Sequence, residues 1–259
     1  MLKTTLFTFA ASMALVASAH AADGNEKTVR DAVQSLGHDI QVDSVEPSPM
    51  PGVYQVMASG RLVYVSADGK FMMNGDIIDI GKKQNLTEAA WASTRRAALA
   101  KVDDSHKLVF APAKPKYTVT VFTDVDCAYC RELHKHIDEF NKQGIAVQYL
   151  FWPRTGVKTT AGNDTPSYTR AVSVWCAADR KATFNAAMKG SDVGKASCTN
   201  PVADDFALGE RLGVSGTPTI MFEDGTTIPS YVTPDQLLAA LRQREAGKPL
   251  DVSTAGGSD

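Results

Sequence analysis

The sequence predicts a mixed α+β and α/β protein in two parts. A small helix-plus-antiparallel-sheet unit comes first, and a linking helix leads to a larger unit that carries the chemistry. Three observations predict this. Short runs of apolar alternation follow one another between residues 39 and 80, punctuated by Ser59-Gly60 and Asp68-Gly69, as in an antiparallel meander. From residue 117 the order changes to strand, helix, strand, which implies a parallel pair joined by a crossover. The stretch FTDVDCAYC then sets a Cys-x-x-Cys pair at the junction of that strand and its helix.

The first element is an export signal. MLKTTLFTFAASMALVASAHA places Lys3 ahead of an apolar run from Leu6 to Ala17, and Ala19-His20-Ala21 fits a small-x-small cleavage site. The run is short and charged sequence follows at once, so residues 1–21 read as a cleaved signal peptide rather than a membrane span. Cleavage leaves 238 of the 259 residues, with 26 basic against 29 acidic side chains. No basic run occurs and no nucleic-acid partner is expected. All four cysteines survive cleavage, and in an oxidising compartment their default state is two disulfides. Four cysteines allow three pairings; proximity in sequence favours Cys127 with Cys130 and Cys176 with Cys198.

In the first unit, residues 22–85, a helix over 22–36 sets Val29, Val33 and Leu36 on one side. DIQVDSV, GVYQVMASG, RLVYVSADGKFMMNG and DIIDI read as short strands. About 60 residues bury little core alone, so this unit is expected to lean on another surface, either the second domain or a second copy of itself. Residues 86–103 form a linker helix, with Thr87 as its candidate cap before Glu88. Pro112 and Pro115 then break helix on the approach to the second unit, residues 104–248.

YTVTVFTD is a strand, residues 127–144 a helix ending at Gly144, and IAVQYLFWP a second strand. Residues 164–213 form a helical insertion. TIMFEDGTTIPSY is a hairpin turned at Asp224-Gly225, and a final helix starts near Pro234 and stops at Gly247. The tail 249–259 is polar and Gly-rich and is expected to be disordered.

Cys127 falls at a helix N-terminus, where free N–H groups and the dipole favour a thiolate; Cys130 lies one turn further in. That asymmetry suits thiol–disulfide exchange, in which an exposed low-pKa sulfur attacks and a second sulfur resolves the mixed disulfide. A structural bond across two intervening residues would constrain the unfolded chain very little. A zinc site from Cys127, Cys130, His134 and His136 would require the helix to break, because His136 points about 200° away from His134 on a regular helix. Both histidines read instead as solvated members of the charged run RELHKH, and no metal or cofactor is expected. Cys176 and Cys198 enclose 21 residues, and a structural bond there is worth about 3 kcal/mol.

The Cys-x-x-Cys opening a helix after a strand, followed far downstream by Thr217-Pro218 opening a hairpin, resembles the thioredoxin superfamily. FTDVDCAYC, YLFWPRTG, VSVWCAADR, the Cys198 region and LGVSGTPTI resemble more closely the bacterial periplasmic disulfide isomerases of the DsbC/DsbG type. The resemblance spans nearly all of the mature chain. It implies a thioredoxin-like catalytic domain and an N-terminal domain that makes a homodimer. It implies Cys127 as attacking nucleophile, Cys130 as resolving cysteine, and Cys176–Cys198 as the structural bond. It also implies that Thr217, a cis Pro218 and Tyr129 contact substrate, and that a membrane thiol reductant supplies electrons.

Two departures stand out. The family's usual Gly-Tyr between the cysteines is Ala128-Tyr129 here, and the buried acid that thioredoxins keep on the preceding strand is Val121. Proton transfer at the resolving cysteine then needs another group or water. Arg131 either favours a thiolate or is a solvated helix residue. The resulting expectation is a periplasmic isomerase of misfolded, disulfide-containing exported proteins. The alternatives are a reductase of single oxidised cysteines, a net oxidase, or a dimeric holdase chaperone.

Overall fold

The computed structural model describes residues 15–246, with side chains from residue 24 onward. The expected signal peptide as far as residue 14, Gly247 and the tail 249–259 lie outside the described residues. The chain divides into two units, one through Ile77 and one from Ile78.

In the first unit, α1 (Leu15–Gln34) precedes a four-stranded antiparallel sheet of β1 (Val42–Pro47), β2 (Val53–Ala58), β3 (Arg61–Ser66) and β4 (Met72–Met73), in that spatial order. Val29 and Val33 of α1 are buried with Val45, Val56, Val63 and Val65 of the sheet. The helix ends at Gln34, so Leu36 falls outside its apolar side and is 60% exposed, contrary to the expected grouping. Ser59 and Gly60 turn β2 into β3 with φ of 46° and 71°, the mirror-image turn whose twist matches that of the strands.

The second unit opens with a short ribbon, β5 (Ile78–Asp79) against β6 (Gln84–Asn85), and α2 (Leu86–Leu99). The cap of α2 is Asn85 rather than Thr87. Its Oδ1 accepts from the Glu88 N–H at 2.9 Å, a reach that a residue already inside the first turn lacks. The helix that the sequence suggests as a connector packs on this unit. Buried Arg95 donates through Nε to the Leu212 carbonyl at 3.1 Å and pairs with Glu88 at 2.8 Å. The hairpin tip at Gly225, with φ +84°, comes so close that a Cβ there would lie 1.8 Å from the Ala92 carbonyl oxygen.

A five-stranded sheet follows, built from β7 (Leu108–Phe110), β8 (Tyr117–Thr123), β9 (Ile145–Phe151), β10 (Thr219–Phe222) and β11 (Thr227–Ile228). Its order is β11-β10-β8-β9-β7, with β8 and β9 parallel and every other pair antiparallel. The edge strand β7 has no counterpart among the sequence expectations, because three residues between charged and Pro-rich sequence carry no period.

Between β8 and β9 the helix is double: α3 (Ala128–Lys135) and α4 (Ile137–Lys142), broken at His136 with φ −96° and ψ 15°. The insertion holds α5 (Pro166–Trp175), α6 (Arg180–Met188) and α7 (Val202–Arg211). The chain's last described helix, α8 (Pro234–Glu245), starts with a capping box between Thr233 and Gln236. Alternation along β9 divides the core. Val147, Tyr149 and Phe151 join the cluster containing Cys130, Leu133 and Phe184, while Leu150 and Trp152 face the other way with Phe122 and Leu212.

Candidate active site

The turn Asp124-Val125-Asp126 leads from β8 to Cys127, whose N–H returns to the Asp124 carbonyl at 3.0 Å. Cys127 occupies the N-cap seat of α3. Its carbonyl accepts the first helical bond, from the Arg131 N–H, while its side chain makes no capping hydrogen bond. Neither cysteine is bonded to the other, and they are 2% and 1% exposed.

Their acidities are driven apart. The Cys130 thiol donating to its sulfur lowers the Cys127 pKa, against the opposing effect of burial. The Thr217 side chain, the Cys130 N–H and the charge of Arg154 lower it further. Burial pushes the Cys130 thiol up, and the Cys127 sulfur beside it pushes the same way. The pair is therefore biased toward a thiolate at Cys127 and a thiol at Cys130.

The loop before β10 closes over this pair. The Thr217–Pro218 peptide is cis, and the Thr217 carbonyl accepts from the Cys127 sulfur at 3.1 Å. The Thr217 hydroxyl is buried without a hydrogen-bond partner. Tyr129, two residues into α3, is 67% exposed beside the couple. The expected residues Cys127, Cys130, Thr217 and Pro218 thus meet at one place, with Tyr129 at its edge. Cys176 at the end of α5 is bonded to Cys198, with their Cα atoms 5.6 Å apart.

Arginines hold the approach turn. Arg131 donates from Nε to the Val125 carbonyl at 2.9 Å and pairs with Asp126 at 3.3 Å, so it clamps the loop rather than lying free in solvent. Arg170 reaches the same carboxylate at 2.9 Å. The backbone N–H and the guanidinium of Arg154 both bind buried Asp124, at 2.9 and 3.3 Å.

The helix does break, at His136, and the two histidines go to different partners. His134 is buried, with Nδ1 3.0 Å from the Tyr149 hydroxyl and Nε2 2.7 Å from Asn185 Oδ1. It is no solvated residue of a charged run. His136 lies between Glu132 and Glu139, at 3.2 and 3.1 Å. No metal-binding group of His, Cys, Asp or Glu occurs among the described residues.

Sequence reading missed Arg154 and the His134–Tyr149 pair. The signal for His134 was present. Cys130, Leu133 and His134 fall at i, i+3 and i+4 on one face of α3, and a face containing a buried cysteine is the core face. Arg154 lies 27 positions beyond Cys127 in sequence, and no local pattern joins the two.

The sequence model of the disulfide bond isomerase N-terminal domain matches residues 17–88, and that of the thioredoxin-like domain matches residues 105–245. The thiol:disulfide interchange protein DsbC of Dickeya dadantii is 32% identical over 235 residues, covering 91% of this chain and 94% of that protein. The chain belongs to the DsbC family. The Salmonella typhimurium DsbC is 34% identical over 226 residues, covering 86% and 90%. A solved disulfide interchange protein from Neisseria gonorrhoeae aligns at 29% identity and a TM-score of 0.47, over 55% of this chain and 97% of that one. Membership of the DsbC family makes the protein a thiol–disulfide oxidoreductase with a thioredoxin-like catalytic domain.

Proposed function

We propose that this protein is a periplasmic homodimer that isomerises wrong disulfides in exported proteins. Cys127 attacks the client disulfide and forms a mixed disulfide, releasing one client thiolate. A second client thiolate then attacks the mixed disulfide and leaves the client re-paired. Where no such thiolate arrives, Cys130 attacks Cys127, which ends as an intramolecular disulfide while the client departs reduced. A membrane thiol reductant returns the pair to the dithiol. Thr217, Pro218 and Tyr129 line the place where the client backbone would lie.

The observation that carries this reading is the placement of the two cysteines: Cys127 at the N-cap of α3 and Cys130 buried one turn inside it, so that the Cys130 thiol lowers the pKa of Cys127 while burial raises its own. Export is supported by the leading apolar segment and by the Cys176–Cys198 bond, which suits an oxidising compartment. Dimerisation through the first unit is supported by the edge strand β4, where Met72 and Met73 are exposed in a row with Phe71 just before them. The named relatives, thiol:disulfide interchange proteins, support the chemistry.

The test is brief alkylation of the reduced protein near neutral pH, followed by peptide mapping. Cys127 should carry nearly all the label, and Cys130→Ser should accumulate client adducts in cells. Preferential labelling of Cys130 overturns the division of roles.

A further inference from the structure

Resolution of a mixed disulfide puts negative charge on the Cys130 sulfur, which is 1% exposed in the core. What meets it there is a pair of donors. Alternation along β8 sends Phe122 to the Leu150 side of the sheet, and Val119 and Val121 to the side that packs with Cys130. Thr123, the last residue of β8, follows Val121 by two and faces the same way. Its backbone is fixed, because it stands opposite Phe151 in the parallel register and its carbonyl accepts from the Trp152 N–H at 2.7 Å.

The Thr123 side chain belongs to a residue that is 0% exposed. In the dithiol its hydroxyl completes no hydrogen bond, yet it already lowers the Cys130 pKa, as the Asp124 N–H does. The Thr217 hydroxyl stands in the same condition beside Cys127. Among the described residues these are the two threonine hydroxyls buried without a partner, and each acts on one of the two sulfurs. Leaving a buried hydroxyl unpaired is costly, and here a partner arrives when the sulfur ionises. The Asp124 carboxylate is no rival base. One of its oxygens accepts from the Asp126 N–H at 2.8 Å, and the other from the N–H and guanidinium of Arg154 at 2.9 and 3.3 Å.

We propose that the Thr123 hydroxyl is a catalytic group of the resolving step, donating to the Cys130 sulfur as that sulfur becomes a thiolate and attacks Cys127. The inference rests on the exchange roles given above. In the dithiol the Cys130 thiol donates to Cys127, and the Cys127 sulfur in turn raises the Cys130 pKa. Once Cys127 is bonded to a client it carries no charge, and that opposition ends. Burial remains, countered by the Thr123 hydroxyl and the Asp124 N–H.

The Cys130 sulfur then bonds to the Cys127 sulfur, the Cys127–client bond breaks, and its electron pair leaves on the client sulfur. The proton that Cys130 gives up ends, through solvent, on that client sulfur. Two protein thiols have become a disulfide and the client disulfide two thiols, while Thr123 keeps its own proton throughout. A hydroxyl binds a thiolate more strongly than a thiol, so its donation lowers the barrier rather than the ground state.

The test is stopped-flow mixing of the reduced full chain with an aromatic disulfide whose thiolate absorbs visible light. Reagent is raised until the second phase no longer depends on its concentration. The first equivalent of colour reports attack by Cys127, and the second reports attack by Cys130. Thr123→Val keeps the shape and removes the donor, and should slow the second phase roughly tenfold to a hundredfold with the first within about twofold of the parent. Thr123→Ser restores the hydroxyl and should bring the second phase back to within about threefold. A Thr123→Val second phase within about twofold of the parent overturns the proposal, and so does a Thr123→Ser variant slowed as much as Thr123→Val. Where Thr123→Val does not fold, Thr123→Ala set against Thr123→Ser isolates the hydroxyl at nearly equal volume, and equal second phases overturn the proposal. A second phase that survives in Cys130→Ser overturns the exchange roles themselves, which separates the two failures.

Discussion

The Cys127 sulfur donates to the Thr217 carbonyl at 3.1 Å, joining residues 90 apart in sequence. Only the thiol can make that bond. Once Cys127 ionises, the carbonyl repels it, and the buried Thr217 hydroxyl, which has no hydrogen-bond partner, becomes the natural donor.

Thr217→Val keeps the shape and removes that donor. The Cys127 titration, followed by thiolate absorbance, should move up in pH, and alkylation below neutrality should slow. An unchanged titration would mean that the hydroxyl takes no part in holding the thiolate.

Arg154 contributes to the same acidity through its charge and also pairs with buried Asp124. Arg154→Met should raise the Cys127 pKa. It should also destabilise the fold by about 1–3 kcal/mol, because a buried carboxylate loses its cation. Arg154→Lys should restore much of the acidity but less of the stability, since a lysine lacks the guanidinium fork. Equal recovery of both would refute the separation of the two roles.

Asp205 is a buried carboxyl accepting one N–H, from Phe151 at 3.3 Å, and burial pushes it up to about 7. Below its unfolded value of 3.8 it is protonated in both states and costs nothing. As pH rises from there to about 7, the unfolded chain ionises while the folded one does not, and stability is lost across that window. Asp205→Asn should flatten the urea midpoint against pH over this range and raise it at pH 7.5. A parent midpoint that rises steadily through the window would contradict the assignment.

Replacing Cys176 and Cys198 by Ala should lower stability by about 3 kcal/mol while leaving the rate of Cys127 alkylation unchanged. Loss of exchange activity at unchanged stability would instead make the pair a relay.

The packing of α2 changes where the catalytic unit can be cut. A chain starting near residue 104 discards Arg95, with its bond to Leu212, and the helix carbonyl against which Gly225 is pressed. A chain starting at residue 78 keeps both. Each should be monomeric, reduce a small disulfide, and lose most activity in refolding a scrambled multi-disulfide protein. The shorter one should also unfold at markedly lower urea. Equal midpoints would show α2 to be energetically idle.

Much of the site was legible because its signals are local. A Cys-x-x-Cys after a strand sets one sulfur at a helix cap and the other inside, and Pro218 marks the strand that follows it. What escaped is what depends on register between distant segments. Nothing near Tyr149 in sequence says that its neighbour across the sheet is Val121, and nothing near Arg154 says that it will turn back to Asp124. In the fold, the expectations for Leu36 and Thr87 miss by no more than a single turn of helix. In both places the deciding fact is where the helix begins or ends, which rests on caps and turns more than on period.

The bond between Cys176 and Cys198 joins cysteines that are consecutive in the chain, as are Cys127 and Cys130. A polypeptide entering an oxidising space from its N-terminus presents Cys127 and Cys130 first and the other two later. At each stage the nearest available partner is the one that the finished molecule uses, for exchange in the first pair and for structure in the second. An oxidant with no power to correct errors therefore suffices to finish this molecule. A repair enzyme built this way does not depend on an earlier copy of itself, and its abundance can rise from zero while mispaired substrates accumulate around it.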